Sequence, residues 1–148
     1  MVEEHLRCQQ VGLGKAEDFT VALVQESAEW ISATPFVGPA HIGRRQQQRY
    51  LLKALRRELR RWLERQYPGQ SIQAVPASIT LGETPARLPA LEYRRARQRR
   101  SADGYHRPCG FFRLTFVDAA GQPVRVRGPI CLGYGSHFGL GLFLPQES

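Results

Sequence analysis

From Arg44 to Tyr67 the sequence keeps a helical period. Leu52, Leu55, Leu59, Trp62 and Leu63 fall on one stripe at spacings of three, four, three and one, and Pro68-Gly69 ends the run. A chain with such a stripe must bury it, so these apolar residues read as core. The other faces carry Arg44, Arg45, Arg49, Lys53, Arg56, Arg57, Arg60, Arg61 and Arg65 against only Glu58 and Glu64. Like charges on neighbouring turns repel, an arrangement that an isolated helix would not choose. The basic faces are either a solvated surface or one wall of a groove for a polyanion.

The remaining segments read mainly as strands. Phe19–Val24 is apolar and β-branched, Trp30–Thr34 alternates large and small, and Pro35, Gly38 and Pro39 put Phe36 to Ile42 in an exposed connection. Ile72 to Leu81 is a strand interrupted by Pro76, followed by a loop through Pro85 and Pro89. Leu91 to Arg100 is a second basic run, an edge strand or hairpin arm, with a disordered arm as the plain alternative. Phe111–Val117 alternates as a half-buried strand does, and Asp118–Gly121 turns it into Val124–Arg127 as a hairpin. Leu140 to Leu144 is a last short strand. Several strands and one long helix imply an α+β domain with the helix packed on an antiparallel sheet. A second long helix is missing. Residues 1 to 17 are expected to be a flexible lead-in and 18 to 148 a single domain, which suits the length of 148 residues.

A hydrophobic fraction of 42% suffices for a core, and 21 Lys and Arg against 13 Asp and Glu leave a net charge of +8. Nearly all of that positive charge is arginine, whose planar fork grips phosphate and stacks on bases, so the excess favours a nucleic acid partner. Cys8, Cys109 and Cys131 are odd in number and far apart, with no C-x-x-C pair. They offer neither a disulfide framework nor a thiolate metal site, and they suit a reducing cytoplasm. The opening MVEEHLRCQQ lacks the basic-then-apolar order of a signal peptide, and no apolar run approaches the length of a membrane span. A soluble cytoplasmic protein is expected.

Gly133-Tyr134-Gly135-Ser136-His137-Phe138-Gly139-Leu140-Gly141 sets four glycines in nine residues beside a strand. Glycine lets backbone N–H groups turn into one concavity and lets a phosphate approach without a Cβ in the way. Neither the Walker nor the dinucleotide-binding pattern fits, because no Gly-Lys-Ser/Thr follows and the glycine spacing differs. The plain alternative is a tight turn and bulge in a terminal hairpin.

The stretch from Gly128 to Phe143, GPICLGYGSHFGLGLF, together with Trp30-Ile31-Ser32-Ala33-Thr34-Pro35-Phe36-Val37 running into His41, resembles the CRISPR-associated RAMP superfamily. More narrowly, it resembles the C-terminal part of the type I-G (formerly I-U) subunit that fuses a repeat-processing ribonuclease domain to a domain capping the guide's 5′ handle. The likeness covers most of residues 28 to 145. It implies a ferredoxin-like (RRM-like) domain, a glycine-rich loop on the RNA backbone, and metal-independent cleavage of the CRISPR repeat. It also implies a catalytic histidine between the first strand and the first helix, the place His41 holds here. The fused forms are much longer than this chain, and without a second helix the βαββαβ plan is only partly legible.

Cleaving RNA through its own 2′-OH needs a base for that proton, an acid for the leaving 5′ oxygen, and a cation for the phosphorane. Histidine, with an ordinary pKa of about 6.5, serves as either acid or base. His41 is the first candidate, with Tyr50 or Lys53 as an assisting donor and His137 as a second proton-transfer group or phosphate donor. The alternatives are a solvated loop histidine for His41 and a residue packed on Tyr134 or Phe138 for His137. RNA binding is assigned to Arg44, Arg45, Arg49, Arg94, Arg95, Arg97, Arg99 and Arg100, and to Gly133, Tyr134, Gly135, Ser136, Phe138, Gly139 and Gly141. Tyr93, Tyr105 and Phe138 are candidates for stacking on unpaired bases. No carboxylate pair or histidine spacing matches a metal site, so neither metal nor cofactor is expected. Two functions stay open. One is a metal-independent endoribonuclease that matures precursor repeat RNA in antiviral defence, leaving 2′,3′-cyclic phosphate ends. The other is a non-catalytic subunit that binds guide RNA among the other subunits of a type I effector complex. An unrelated RNA-binding domain is a third, weaker possibility.

Overall fold

The computed structural model describes residues 15, 22–40, 46–87, 89–90 and 107–147. His41, Arg44, Arg45, the basic run from Leu91 to Arg100, Tyr105, the side chain of Phe138, and the lead-in apart from Lys15 lie outside the described residues. The elements are β1 (Glu26–Ser27), β2 (Glu29–Ser32), β3 (Phe36–Val37), α1 (Gln47–Gln66), β4 (Gln73–Ile79), β5 (Cys109–Val117), β6 (Val126–Arg127), β7 (Ile130–Cys131) and β8 (Leu142–Pro145).

Strand β5 organises the sheet because its residues alternate from Phe112 onward. Phe112, Leu114 and Phe116 turn one way into the core, while Arg113 between them faces outward. One edge of β5 pairs with β4 along its full length, and the other pairs with β2 and then β3. Beyond β2 lie β8 and β7, giving the antiparallel order β4-β5-β2-β8-β7, with β1 and β6 forming a separate short ribbon. Helix α1 lies on the Phe112–Phe116 face and buries Leu51, Ala54, Leu55, Leu59, Trp62 and Leu63. Trp62 meets Phe116 with ring centroids 6.0 Å apart. Trp30 is fully buried and donates its indole N–H to Ser27 O at 3.0 Å, which satisfies its one polar atom.

The protein is therefore α+β, with one long helix among the described residues packed on an antiparallel sheet. The succession β2–β3, α1, β4, β5, β8 and the order β4-β5-β2-β8 are compatible with a ferredoxin-like plan. Where that plan has a second helix, this chain runs through β6, β7 and the glycine-rich loop.

Several sequence expectations need correcting. Ala22–Val24 is a 3-10 turn, closed by Gln25 N donating to Ala22 O, rather than the end of a strand. It pairs with no strand among the described residues, and Leu23 O packs against Gly128. Phe36 and Val37 are a buried strand, not part of an exposed connection, because the sheet edge of β5 extends past the end of β2 to receive them. Pro76 does not interrupt β4. Phe116 directs both its N–H and its C=O away from β4, so the odd-numbered residues of β5 carry the ladder bonds to β4. Pro76 pairs with Leu114, and its missing N–H faces the open edge, where no bond is lost. The hairpin after β5 lasts only as far as Val124, which donates to Phe116 O, and Val126–Arg127 then leaves to pair with β1. The last strand begins at Leu142, two residues later than the sequence suggested.

Candidate nucleic-acid interface

The site begins at a bulge. Ile31 lies opposite Arg113 and Phe36 opposite Gly110, so five steps along one strand match three along its partner, and Ala33–Pro35 is extruded. Buried Ser32 fills the gap in the ladder, its Oγ accepting from Phe112 N at 2.9 Å. The extruded residues then grip the glycine-rich loop. Ala33 N and Thr34 N donate to Leu142 O, Gly141 N donates to Pro35 O at 2.8 Å, and Thr34 Oγ1 both donates to Gly139 O and accepts from Leu142 N. The W-I-S-A-T-P-F-V motif and the glycine motif are thus neighbours in space because one is the clamp of the other.

Two of the loop's glycines, Gly133 and Gly141, are dictated by close packing. A Cβ on Gly133 would lie 2.6 Å from the Phe36 ring, and one on Gly141 would lie 1.7 Å from Leu132 O. Loop amides also turn inward: Tyr134 N to Val37 O at 2.9 Å, Ser136 N to Gly133 O, and Leu140 N to Gly135 O. Cys131 Sγ lies 3.3 Å from Ser136 O and 3.2 Å from Leu140 O, either of which can accept its one S–H, and burial pushes the thiol pKa up. These bonds hold the loop rigid and spend much of its donor capacity inside the fold. Gly139 differs, since nothing lies within 4 Å of its missing side chain.

Three stretches of chain meet at the N-terminal end of α1. Gly38 packs against Tyr50 and donates to Pro108 O at 2.8 Å, and Ala40 N donates to the Tyr50 hydroxyl at 3.0 Å. Arg107 donates to Pro39 O and lays its guanidinium 4.0 Å from the centre of the Tyr134 ring. Tyr134 is 41% exposed, and with Val75 it is one of two exposed large apolar side chains among the described residues. Among the described residues, the face of the sheet with Val75, Ala77, Arg113 and Thr115 carries no exposed ring, and Phe111 on that face is buried.

The structure brings Tyr50, Tyr134 and the residue before His41 to one end of the molecule. His137 and Ser136 sit in a 3-10 turn of the same loop, with His137 exposed. Lys53 and Arg49 are exposed on the early turns of α1. Arg107 was not singled out from the sequence; its only signal was its position between the basic run and Pro108. Along α1, the one ion pair among the described residues is Arg61 with Glu58 at 3.8 Å. Among the described residues no three His, Cys, Asp or Glu side chains gather as a metal site, and no helix is long and apolar enough to cross a membrane. Compared with known protein families, curated proteins and solved structures, the chain matches none.

Proposed function

We propose that this end of the domain binds RNA, and that the protein processes CRISPR repeat RNA or retains its product as a RAMP-type ferredoxin-like domain. One observation carries the RNA-binding part. Tyr134 is an exposed ring, fixed through its backbone to Val37 and backed by the Arg107 guanidinium, which also bonds Pro39 O two residues before His41. A rigid ring paired with a cation is what sequence-tolerant stacking on unpaired bases needs. The CRISPR assignment rests on the resemblance of the two motifs, and their mutual clamping is consistent with their occurring together.

In this role Tyr134 and Arg107 hold a nucleotide and its phosphate, and Gly139 lets the backbone approach. His41 takes the 2′-OH proton as that oxygen bonds to phosphorus and the P–O5′ bond breaks, His137 gives a proton to the leaving 5′ oxygen, and the Tyr50 hydroxyl orders the start of the connection by accepting from Ala40 N. Incubation with repeat RNA in EDTA tests this. Discrete products ending in 2′,3′-cyclic phosphate, lost in His41→Ala, are expected of the nuclease. Tight binding without products reassigns the protein as a holding subunit, and absence of any preference for repeat RNA over unrelated stem-loops at matched salt removes the CRISPR assignment.

A further inference from the structure

A groove of about 600 Å³ runs between the C-terminal half of α1 and the chain entering β4. Arg56 and Arg60 line it from the helix, Tyr67 from the helix's C-terminal end, Gln70 and Gln73 from the chain that follows, and Leu63 forms part of its apolar floor. Tyr67 is held in place, its hydroxyl accepting from Arg127 N at 2.8 Å and its ring tilted against Trp62 at 6.1 Å. Arg56 and Arg60 are exposed, one turn apart, and have no carboxylate within ion-pair range among the described residues. Arg49 and Lys53 continue the same stripe at helical spacing toward the Tyr134 end, over about 16 Å at 1.5 Å per residue.

Stacked cations repel, and those near the N-terminus of α1 also oppose the helix dipole, with no acidic residue in the first turn to offset them. Such a stripe is stabilised when a polyanion lies along it. An extended peptide pairing with the edge of β4 that no described residue occupies is disfavoured, because Pro76 has no N–H to offer there. A groove of this size with an apolar floor, a pinned aromatic ring and two guanidinium groups matches a nucleotide instead.

We infer that the groove is a second subsite for single-stranded RNA. One base enters against Tyr67 and the apolar floor, and the flanking phosphates lie on Arg56 and Arg60. Lys53 and Arg49 carry the strand back toward Tyr134. Glu64 also lines the groove, and as an acceptor it favours a base with an exocyclic amino group, such as cytosine. This inference rests on the RNA-binding role proposed above.

Fluorescence anisotropy on the full chain with oligocytidylates of four and ten nucleotides tests it. The longer oligomer is expected to bind the wild type about tenfold more tightly than the shorter, through added phosphate contacts. Arg56→Gln/Arg60→Gln abolishes most of that gain and flattens the log-log salt slope by about 1.4, at roughly 0.7 per phosphate. Tyr67→Leu weakens the longer oligomer about tenfold while leaving the salt slope unchanged. Circular dichroism melts verify that both variants fold. If the folded double variant keeps full affinity for the longer oligomer while Tyr134→Ala weakens binding, the groove assignment falls and the first site stands. If the wild type binds no RNA, both fall. If hexaglutamate displaces the longer oligomer from the wild type and fails to bind the double variant, the groove belongs to an acidic protein segment and the inference is overturned.

Discussion

Replacing Gly141 by alanine tests whether the glycine-rich loop is a packed part of the fold. Gly141 has φ +66°, and a Cβ there would lie 1.7 Å from Leu132 O, so the backbone must move. Holding a non-glycine residue in the left-handed region costs about 1–2 kcal/mol. Movement also strains two hydrogen bonds, Gly141 N to Pro35 O at 2.8 Å and Leu132 N to Gly141 O at 3.0 Å. Each contributes about 1 kcal/mol. The expected loss is therefore about 3–4 kcal/mol, a fall in Tm on the order of 10 °C for a domain of this size. Gly139→Ala is the control, because its φ is +85° yet nothing lies within 4 Å. It should lose only the conformational part, about 1 kcal/mol. Urea denaturation of both variants measures the difference. Equal stabilities for the two variants would refute the clamp between the bulge and the loop.

Tyr134→Ala is expected to weaken binding of unpaired RNA roughly tenfold at fixed salt, as loss of one stacked base does, with stability changed by no more than about 1 kcal/mol. Filter binding and a thermal melt measure the two effects. For Cys131, burial disfavours the thiolate, so the folded pKa lies above the unfolded one. Its contribution to stability is complete below the ordinary thiol pKa and declines as pH rises through the folded value. Wild type and Cys131→Ser melts between pH 7 and 10 should converge toward the alkaline end, and iodoacetamide should label this thiol slowly in the native state. Glu83 is held below the usual carboxylate range by the Thr80 main-chain N–H first and the Thr80 hydroxyl second. Its bond to Thr80 should persist above the ordinary value and be lost as pH falls through the depressed one. In a carboxyl carbon NMR titration, Thr80→Val should raise the midpoint only part of the way, because the main-chain donor remains.

Periodicity alone was enough to place α1 and β5. A 3.6-residue stripe ending at Pro68-Gly69 and an alternation from Phe112 to Val117 each have one economical way to bury their apolar faces. The same local signals misjudged Phe36 and Val37, because Pro35 and Gly38 look like a break until β5 is seen to supply a partner edge for the residues between them. They also misjudged Pro76, because whether a missing N–H matters depends on which edge of the strand it faces.

Of the candidate site, the sequence showed an arginine-rich surface and the two motifs, since composition and residue order are local properties. That the motifs clamp one another, that Gly133 and Gly141 answer to packing while Gly139 faces open space, and that Arg107 stacks on Tyr134 were decided by tertiary structure. Each depends on contacts between residues far apart in the chain, Thr34 with Gly139 or Pro39 with Arg107, and such contacts exist only after the sheet has set its register.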